Sequence, residues 1–277
     1  MASSSTEPFR VDLGDRVVDG LAAGPRDASA TPLVLLHGIG SAARSFEPAL
    51  PLLAAHRRVV AWNAPGYGGS TPLATEAPDA SAYAAVLVRL LDALRLDRVH
   101  LLGHSLGAIM AARFAAEHPE RLASLTLASI ALGHARLDAD KRDAALAARL
   151  ADLADLGPRG LAEKRGPRLL GPDAAPEAIR AVVDTMAMVD AAGYAQASRL
   201  LAGADTAADV ARLPADLPLL VLYGDADPIT PPAANREIAA LRPDGREVVV
   251  ARGGHAIYVE KPAEFAAAVN AFLGERP

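Results

Sequence analysis

Ser105 stands between two glycines, each two positions away, in Gly103-His104-Ser105-Leu106-Gly107. An apolar run, Val99-His100-Leu101-Leu102, leads into it, and a helix-like run from Ala108 to Glu117 leads out. Strand, sharp turn bearing Ser, then helix is the arrangement of a nucleophile elbow. The turn is crowded, so a side chain two residues either way would collide with the neighbouring strand and helix. It lifts the Ser oxygen to the edge of a sheet and sets the next backbone N–H at a helix start. The bare spacing arises by chance about one time in ten in a chain of this length. The rest of the constellation therefore decides what Ser105 is.

A Ser hydroxyl is a weak nucleophile near neutral pH and needs a base within hydrogen-bond reach. Of the seven His, His255 in Gly253-Gly254-His255 lies just after the last apolar strand and before the last helix. A loop that follows a parallel strand sits at the carboxyl edge of the sheet, the edge that Ser105 occupies. An isolated loop His is most often a solvated side chain, but this position in the order of elements favours a base. A base of this kind is usually oriented by a carboxylate. The strand ending at Tyr223 runs into Gly224-Asp225-Ala226-Asp227-Pro228, which offers two. The spacing Gly-x-x-Asp sets Asp227 deeper in the loop and favours it; Asp225 is the alternative, and one of the pair is a turn former.

The oxyanion of an acyl-transfer reaction needs N–H donors. Leu106 N–H, at the start of the helix, is one candidate. The loop His37-Gly38-Ile39-Gly40-Ser41 offers the second, and Ile39 N–H is selected because Gly38 and Gly40 free the backbone to turn inward. His37 and Gly38 border the pocket on this reading, with His37 anchoring the loop. His104 wedges the elbow from within. Met110, Met186, Met188, Tyr194 and Ile257 are candidates for the pocket wall, although Met186 and Met188 would serve equally as core of a helical segment. His134 is a further pocket candidate. His56 and His100 read as surface or strand-edge positions, and His118 ends a helix before Pro119. No His/Asp/Glu cluster has metal-ligand spacing and no Gly-rich loop is placed for a dinucleotide, so neither metal nor cofactor is expected.

Short apolar runs alternate with helix-like stretches along the chain. Strands are expected at Phe9–Leu13, Arg16–Gly20, Pro32–His37, Arg58–Trp62, Arg98–Leu102, Ser124–Ser129, Pro218–Tyr223 and Glu247–Val250. Helices are expected at Ser45–Ala55, Ala80–Leu94, Leu106–Glu117, Ala233–Leu241 and Pro262–Leu273. Such alternation predicts an α/β fold with a doubly wound, mostly parallel sheet. From Gly133 to about Leu213 no strand is legible. This stretch reads as helices broken at Gly157-Pro158, Gly166-Pro167 and Gly171-Pro172. The expected division is a core of 1–132 and 213–277, with 133–212 a helical cap or lid over the pocket.

The chain has 277 residues, 51% hydrophobic and 22% charged, enough for one full core. Its formal net charge is −5 with no basic block, which argues against a nucleic-acid partner. Cys is absent, which excludes disulfides and thiolate metal sites and fits a reducing, cytoplasmic setting. No run approaches the roughly 20 apolar residues that span a bilayer, so no membrane partner is expected. The first residues lack the basic flank and apolar stretch of a signal peptide.

Taken together, His37-Gly38, Pro65-Gly66-Tyr67-Gly68-Gly69-Ser70, the Ser105 elbow, Pro119-Glu120-Arg121-Leu122, Gly224-Asp225-Ala226-Asp227, and Gly254-His255 with Glu260-Lys261-Pro262 resemble the α/β-hydrolase superfamily over nearly the whole chain. The resemblance implies an eight-stranded sheet flanked by helices, a cap after the sixth strand, and a triad in the order Ser105, Asp227, His255. Asn63 departs from the Asp usual before the Pro-Gly loop. Asp190 to Tyr194 with Ala204-Asp205-Thr206 looks like the cap end of 3-oxoadipate enol-lactonase-like enzymes. Those often carry a basic residue after the sixth strand to hold a substrate carboxylate. Here that stretch is Ile130-Ala131-Leu132-Gly133, which points to a more apolar ester or lactone.

The resulting expectation is a serine esterase or lactonase acting on a small molecule, as monomer or homodimer. Carbon–carbon hydrolysis of a ring-cleavage diketone needs the same triad, but the Gly-Pro-Gly loop common after His-Gly in those enzymes is missing. A non-catalytic small-molecule receptor on the same fold is the third reading.

Overall fold

The computed structural model describes residues 6–274. Residues 1–5, read above for a targeting segment, and 275–277 lie outside the described residues. In chain order the core opens with β1 (Glu7–Asp12), β2 (Val17–Ala23), β3 (Leu33–Leu36), the single turn α1 (Leu50–Leu53) and β4 (Val59–Trp62). It continues with α2 (Ala80–Ala93), β5 (Val99–His104), α3 (Leu106–Glu117) and β6 (Leu122–Ala128). Four helices follow without a strand: α4 (Ala139–Arg165), α5 (Pro176–Met186), α6 (Ala191–Gly203) and α7 (Thr206–Val210). The chain then returns through β7 (Leu219–Gly224), α8 (Pro232–Leu241), β8 (Arg246–Val250), the short α9 (Ile257–Glu260) and α10 (Pro262–Gly274).

The eight strands form one sheet in the order β1-β2-β4-β3-β5-β6-β7-β8. β1 and β2 pair antiparallel, as do β2 and β4, and every pair from β4 to β8 is parallel. This is the mostly parallel, eight-stranded sheet that the alternation and the resemblance call for. Every residue of β3, β4, β5 and β7 is buried. Alternate strand residues feed two apolar layers, because successive side chains point to opposite faces. Val34, Trp62, Leu101 and Val221 pack with α2, α3 and α8 on one side. Leu33, Leu35, Ala61 and Leu222 pack with α1 and α10 on the other.

Two local expectations change. The helix expected at Ser45–Ala55 is instead a 3-10 turn, Ala43–Phe46, followed by α1. Pro48 and Pro51 each lack the N–H that an i→i−4 bond needs, so one continuous helix cannot run through this stretch. The break expected at Gly157-Pro158 is a kink inside α4, where Gly157 takes φ 62° and ψ 176°. Pro158 has no N–H to offer the preceding turn, and only Gly occupies that left-handed φ without strain. Among the described residues no helix is long and apolar enough to cross a membrane.

Candidate active site

Ser105 joins β5 to α3 with φ 54° and ψ −114°, a sparsely populated conformation costing about 1–3 kcal/mol. Neighbouring backbone enforces it. A Cβ on Gly103 would lie 2.2 Å from Gly107 O, and a Cβ on Gly107 would lie 2.2 Å from Leu36 O. Ser105 N–H donates to Ala128 O at 2.9 Å, tying the elbow to the end of β6. The hydroxyl is therefore held at the carboxyl edge of the sheet, at the start of α3.

Two further loops reach the same edge. After β8, His255 sits buried with Nδ1 2.8 Å from Asp227 Oδ2, which follows β7. The Asp227 carboxylate also accepts Ile229 N–H (2.7 Å), Thr230 N–H (2.9 Å) and the Thr230 hydroxyl (2.7 Å). Burial alone would raise the pKa of Asp227; the bonds from His255 and Thr230 outweigh it and hold the carboxyl below its ordinary value. Asp227 is thus an anion in a nearly dry site. Its contact places the proton of a neutral His255 ring on Nδ1 and leaves the Nε2 lone pair free. Asp225 has a different fate: it is exposed, and it accepts the backbone N–H of Arg252 at 2.5 Å. Among the described residues no hydrogen bond joins Ser105 Oγ to the His255 ring. Nucleophile–base bonds are often long without substrate and tighten on binding.

Two cavities meet at Ser105. One, of about 310 Å³, is walled by Gly38, Ile39, His104, His255, Met186 and Tyr194, among others. The second, of about 250 Å³, adjoins Leu106, the stretch from Ile130 to His134, and Ala234. Ile39, Ser105, Arg149 and Ile229 belong to both. Gly38 lies against the elbow, since a Cβ there would fall 3.0 Å from Ser105 Cβ. His104 Nε2–H donates to the carbonyl of His255 at 2.8 Å, and the rings stand 4.8 Å apart. Burial, reinforced by His255, pushes the His104 pKa down to about 3, so the ring is neutral. His134 borders the second cavity, where burial and Arg149 lower its pKa.

Four residues expected at the pocket lie elsewhere. His37 is buried behind the loop, borders neither cavity, and acts as its anchor. Its Nδ1–H donates to Gly38 O (2.9 Å), its Nε2 accepts Ala64 N–H (3.0 Å), and burial lowers its pKa to about 4. Met110 packs into the core beneath α3. Met188 is 64% exposed and touches Arg44 on the outer surface. Ile257 is directed into the core, while its neighbours Ala256 and Tyr258 line the first cavity. Sequence reading also missed Thr230, the carboxylate of Glu260, and three arginines of the insertion. Thr230 had a faint signal, because a hydroxyl three residues after Asp commonly closes a turn on it. The arginines had none, since a helix's facing depends on how the insertion packs.

A family profile described as the alpha/beta hydrolase fold matches residues 31–262. The chain belongs to the α/β-hydrolase fold family. Within this family it is similar to a pimeloyl-[acyl-carrier protein] methyl ester esterase of Aeromonas hydrophila, 33% identical over 252 residues, covering 87% of this chain and 95% of that one. It is also 37% identical over 129 residues to a dihydrolipoyllysine-residue acetyltransferase component of an acetoin cleaving system from Pseudomonas putida, but spans only 34% of that protein and 46% of this one. The solved enol-lactonase of Burkholderia xenovorans LB400 has the same fold, with a TM-score of 0.85 at 22% identity over 96% of this chain and 100% of that one. The α/β-hydrolase departure at Asn63 has a local explanation. Its amide donates to Asp19 (2.9 Å) and its oxygen accepts Ala43 N–H (2.8 Å), so Asp19 supplies the carboxylate of that loop.

Proposed function

We propose that the chain is a serine hydrolase that cleaves a carboxylic ester or lactone through an acyl-enzyme. The observation that carries this reading is the buried 2.8 Å contact between His255 Nδ1 and Asp227, at the cavity that Ser105 opens into. Ser105 Oγ attacks the carbonyl carbon as His255 Nε2 takes its proton. The negative charge that develops on the carbonyl oxygen is received by the N–H groups of Ile39 and Leu106. His255 then gives its proton to the leaving alkoxide, and the alcohol departs. Water, deprotonated by the same ring, cleaves the acyl-enzyme and restores Ser105. Asp227 stays ionised and stabilises the imidazolium. The two cavities on either side of Ser105 suit the acyl and alcohol portions of one substrate, and 133–212 serves as the cap above them. The similarity to a methyl ester esterase supports an ester among the substrates.

The test is a panel of p-nitrophenyl esters and lactones run on the wild type and Ser105→Ala. Wild-type turnover should fall by about 10⁴–10⁶ in the variant. Undiminished turnover in Ser105→Ala overturns the reading. A ring-cleavage diketone in the same panel separates carbon–carbon cleavage, which needs the same three residues.

A further inference from the structure

The first cavity is lined by three arginines of the insertion, Arg149, Arg165 and Arg168, and by no Asp or Glu. This is out of keeping with a chain of net charge −5. Arg165 is compensated from outside the cavity: Asp152 accepts from it and from Lys164. Even so, the Arg165 Nε–H is buried without a hydrogen-bond partner. Among the described residues no carboxylate lies within ion-pair distance of Arg149 or Arg168. The bond that Arg149 makes is to the buried hydroxyl of Tyr194, at 3.2 Å from Nη1. That neutral contact fixes the guanidinium and leaves its charge unmatched. Arg149 also borders the second cavity, so it stands where both meet Ser105. An unmatched cation in a half-enclosed, partly apolar space is costly unless an anion joins it. The planar fork of a guanidinium fits a carboxylate with two parallel N–H donations.

We propose that the ester or lactone cleaved at Ser105 carries a carboxylate, held by Arg149 inside the cavity with Arg168 at its rim. The inference rests on the ester hydrolase reading above and narrows its substrate class. It also revises the expectation, drawn from Ile130 to Gly133, of a more apolar ester or lactone. The positive charge comes from α4 and the turn after it, not from the loop after β6. Met186, Val182 and Leu169 supply the apolar wall for the carbon chain between the two ends.

The test compares the mono-p-nitrophenyl esters of succinic, glutaric and adipic acids with matched esters whose free carboxylate is replaced by an uncharged carboxamide. For at least one chain length the wild type should favour the anionic ester in kcat/KM by about tenfold or more. Arg149→Gln should collapse that ratio about tenfold, Arg149→Lys should restore part of it, and Arg168→Gln, at an exposed position, should lower it less. A merely structural role for Arg149 would slow both esters alike and leave the ratio unmoved. A wild-type ratio of one or below at every length, or a ratio unchanged in Arg149→Gln, overturns the proposal while Ser105-dependent turnover of the carboxamide esters leaves the hydrolase reading standing. If no ester is cleaved, calorimetric titration with glutarate reads the subsite directly. Binding lost in Arg149→Gln supports it, and no binding, or equal binding to both proteins, overturns it.

Discussion

Asp225 and Asp227 are two positions apart on one loop and have opposite surroundings. Asp227 is buried under four donors and carries His255, whereas Asp225 is exposed and closes a turn on Arg252. Asp227→Asn should cut kcat by about 10⁴ through loss of the correct tautomer and of the charge that stabilises the imidazolium. Asp225→Asn should leave kcat near wild type, and steady-state kinetics on one ester compares the two. Thr230→Val removes a 2.7 Å bond to the same carboxylate oxygen that holds His255, and should lower kcat about tenfold, in line with a bond to a charged group. Equal kcat in Thr230→Val and wild type would remove Thr230 from the site. Ser105, Asp227 and His255 were legible because each follows a strand in a Gly-marked loop, and loops after parallel strands share one edge. Met110 and Ile257 were not, because a helical residue can face the pocket or the core until the helix's neighbours are placed.

At the scale of elements, the central strands β3, β4, β5 and β7 were legible because a strand covered on both faces is apolar throughout and short. The insertion was legible only as helical, since its contacts with the core depend on few and scattered residues. One such contact runs through Glu260, whose carboxylate accepts N–H groups from Gly254, beside His255, and from Gly171, in the turn before α5. Burial raises its pKa even though both N–H groups favour the charged form. Nearby, Ala256 N–H donates to Leu169 O at 2.8 Å, so the insertion is pinned to the His255 loop at two points. Glu260→Gln turns one acceptor into an NH₂ that faces an N–H, and should destabilise the fold by about 1–3 kcal/mol with a fall in kcat. A urea melt checks the first and initial rates the second. Gly107→Ala is predicted to be harsher, by about 3 kcal/mol or more, because its Cβ would meet a backbone oxygen that cannot move aside. An unchanged urea midpoint in that variant would mean that the elbow is looser than its geometry.

For the whole molecule, two neutral imidazoles buried beside the site link stability to pH. His37 and His104 titrate at about 4 and about 3 in the fold, against 6.5 for a free ring. Below 6.5 the unfolded chain takes up protons that the folded chain refuses, so stability is full above that value and is lost as pH falls toward 4. The slope should be about 1.4 kcal/mol per pH unit for each ring. Urea melts at pH 7, 6 and 5 measure it, and a flat profile would mean that the rings are charged or hydrated in the fold. The same sheet edge gathers the elbow, the Asp227 loop and the His255 loop beside a helical insertion that contributes Arg149, Arg165 and Arg168 to the cavity wall. The role of Ser105 as nucleophile is tested most directly by peptide mass spectrometry of the wild-type protein after reaction with a fluorophosphonate, which phosphonylates an activated Ser with loss of fluoride. A single adduct on the peptide containing Ser105, formed in step with loss of ester turnover and abolished in His255→Ala, is the predicted result. An adduct on another residue, or full turnover by the labelled protein, would contradict it.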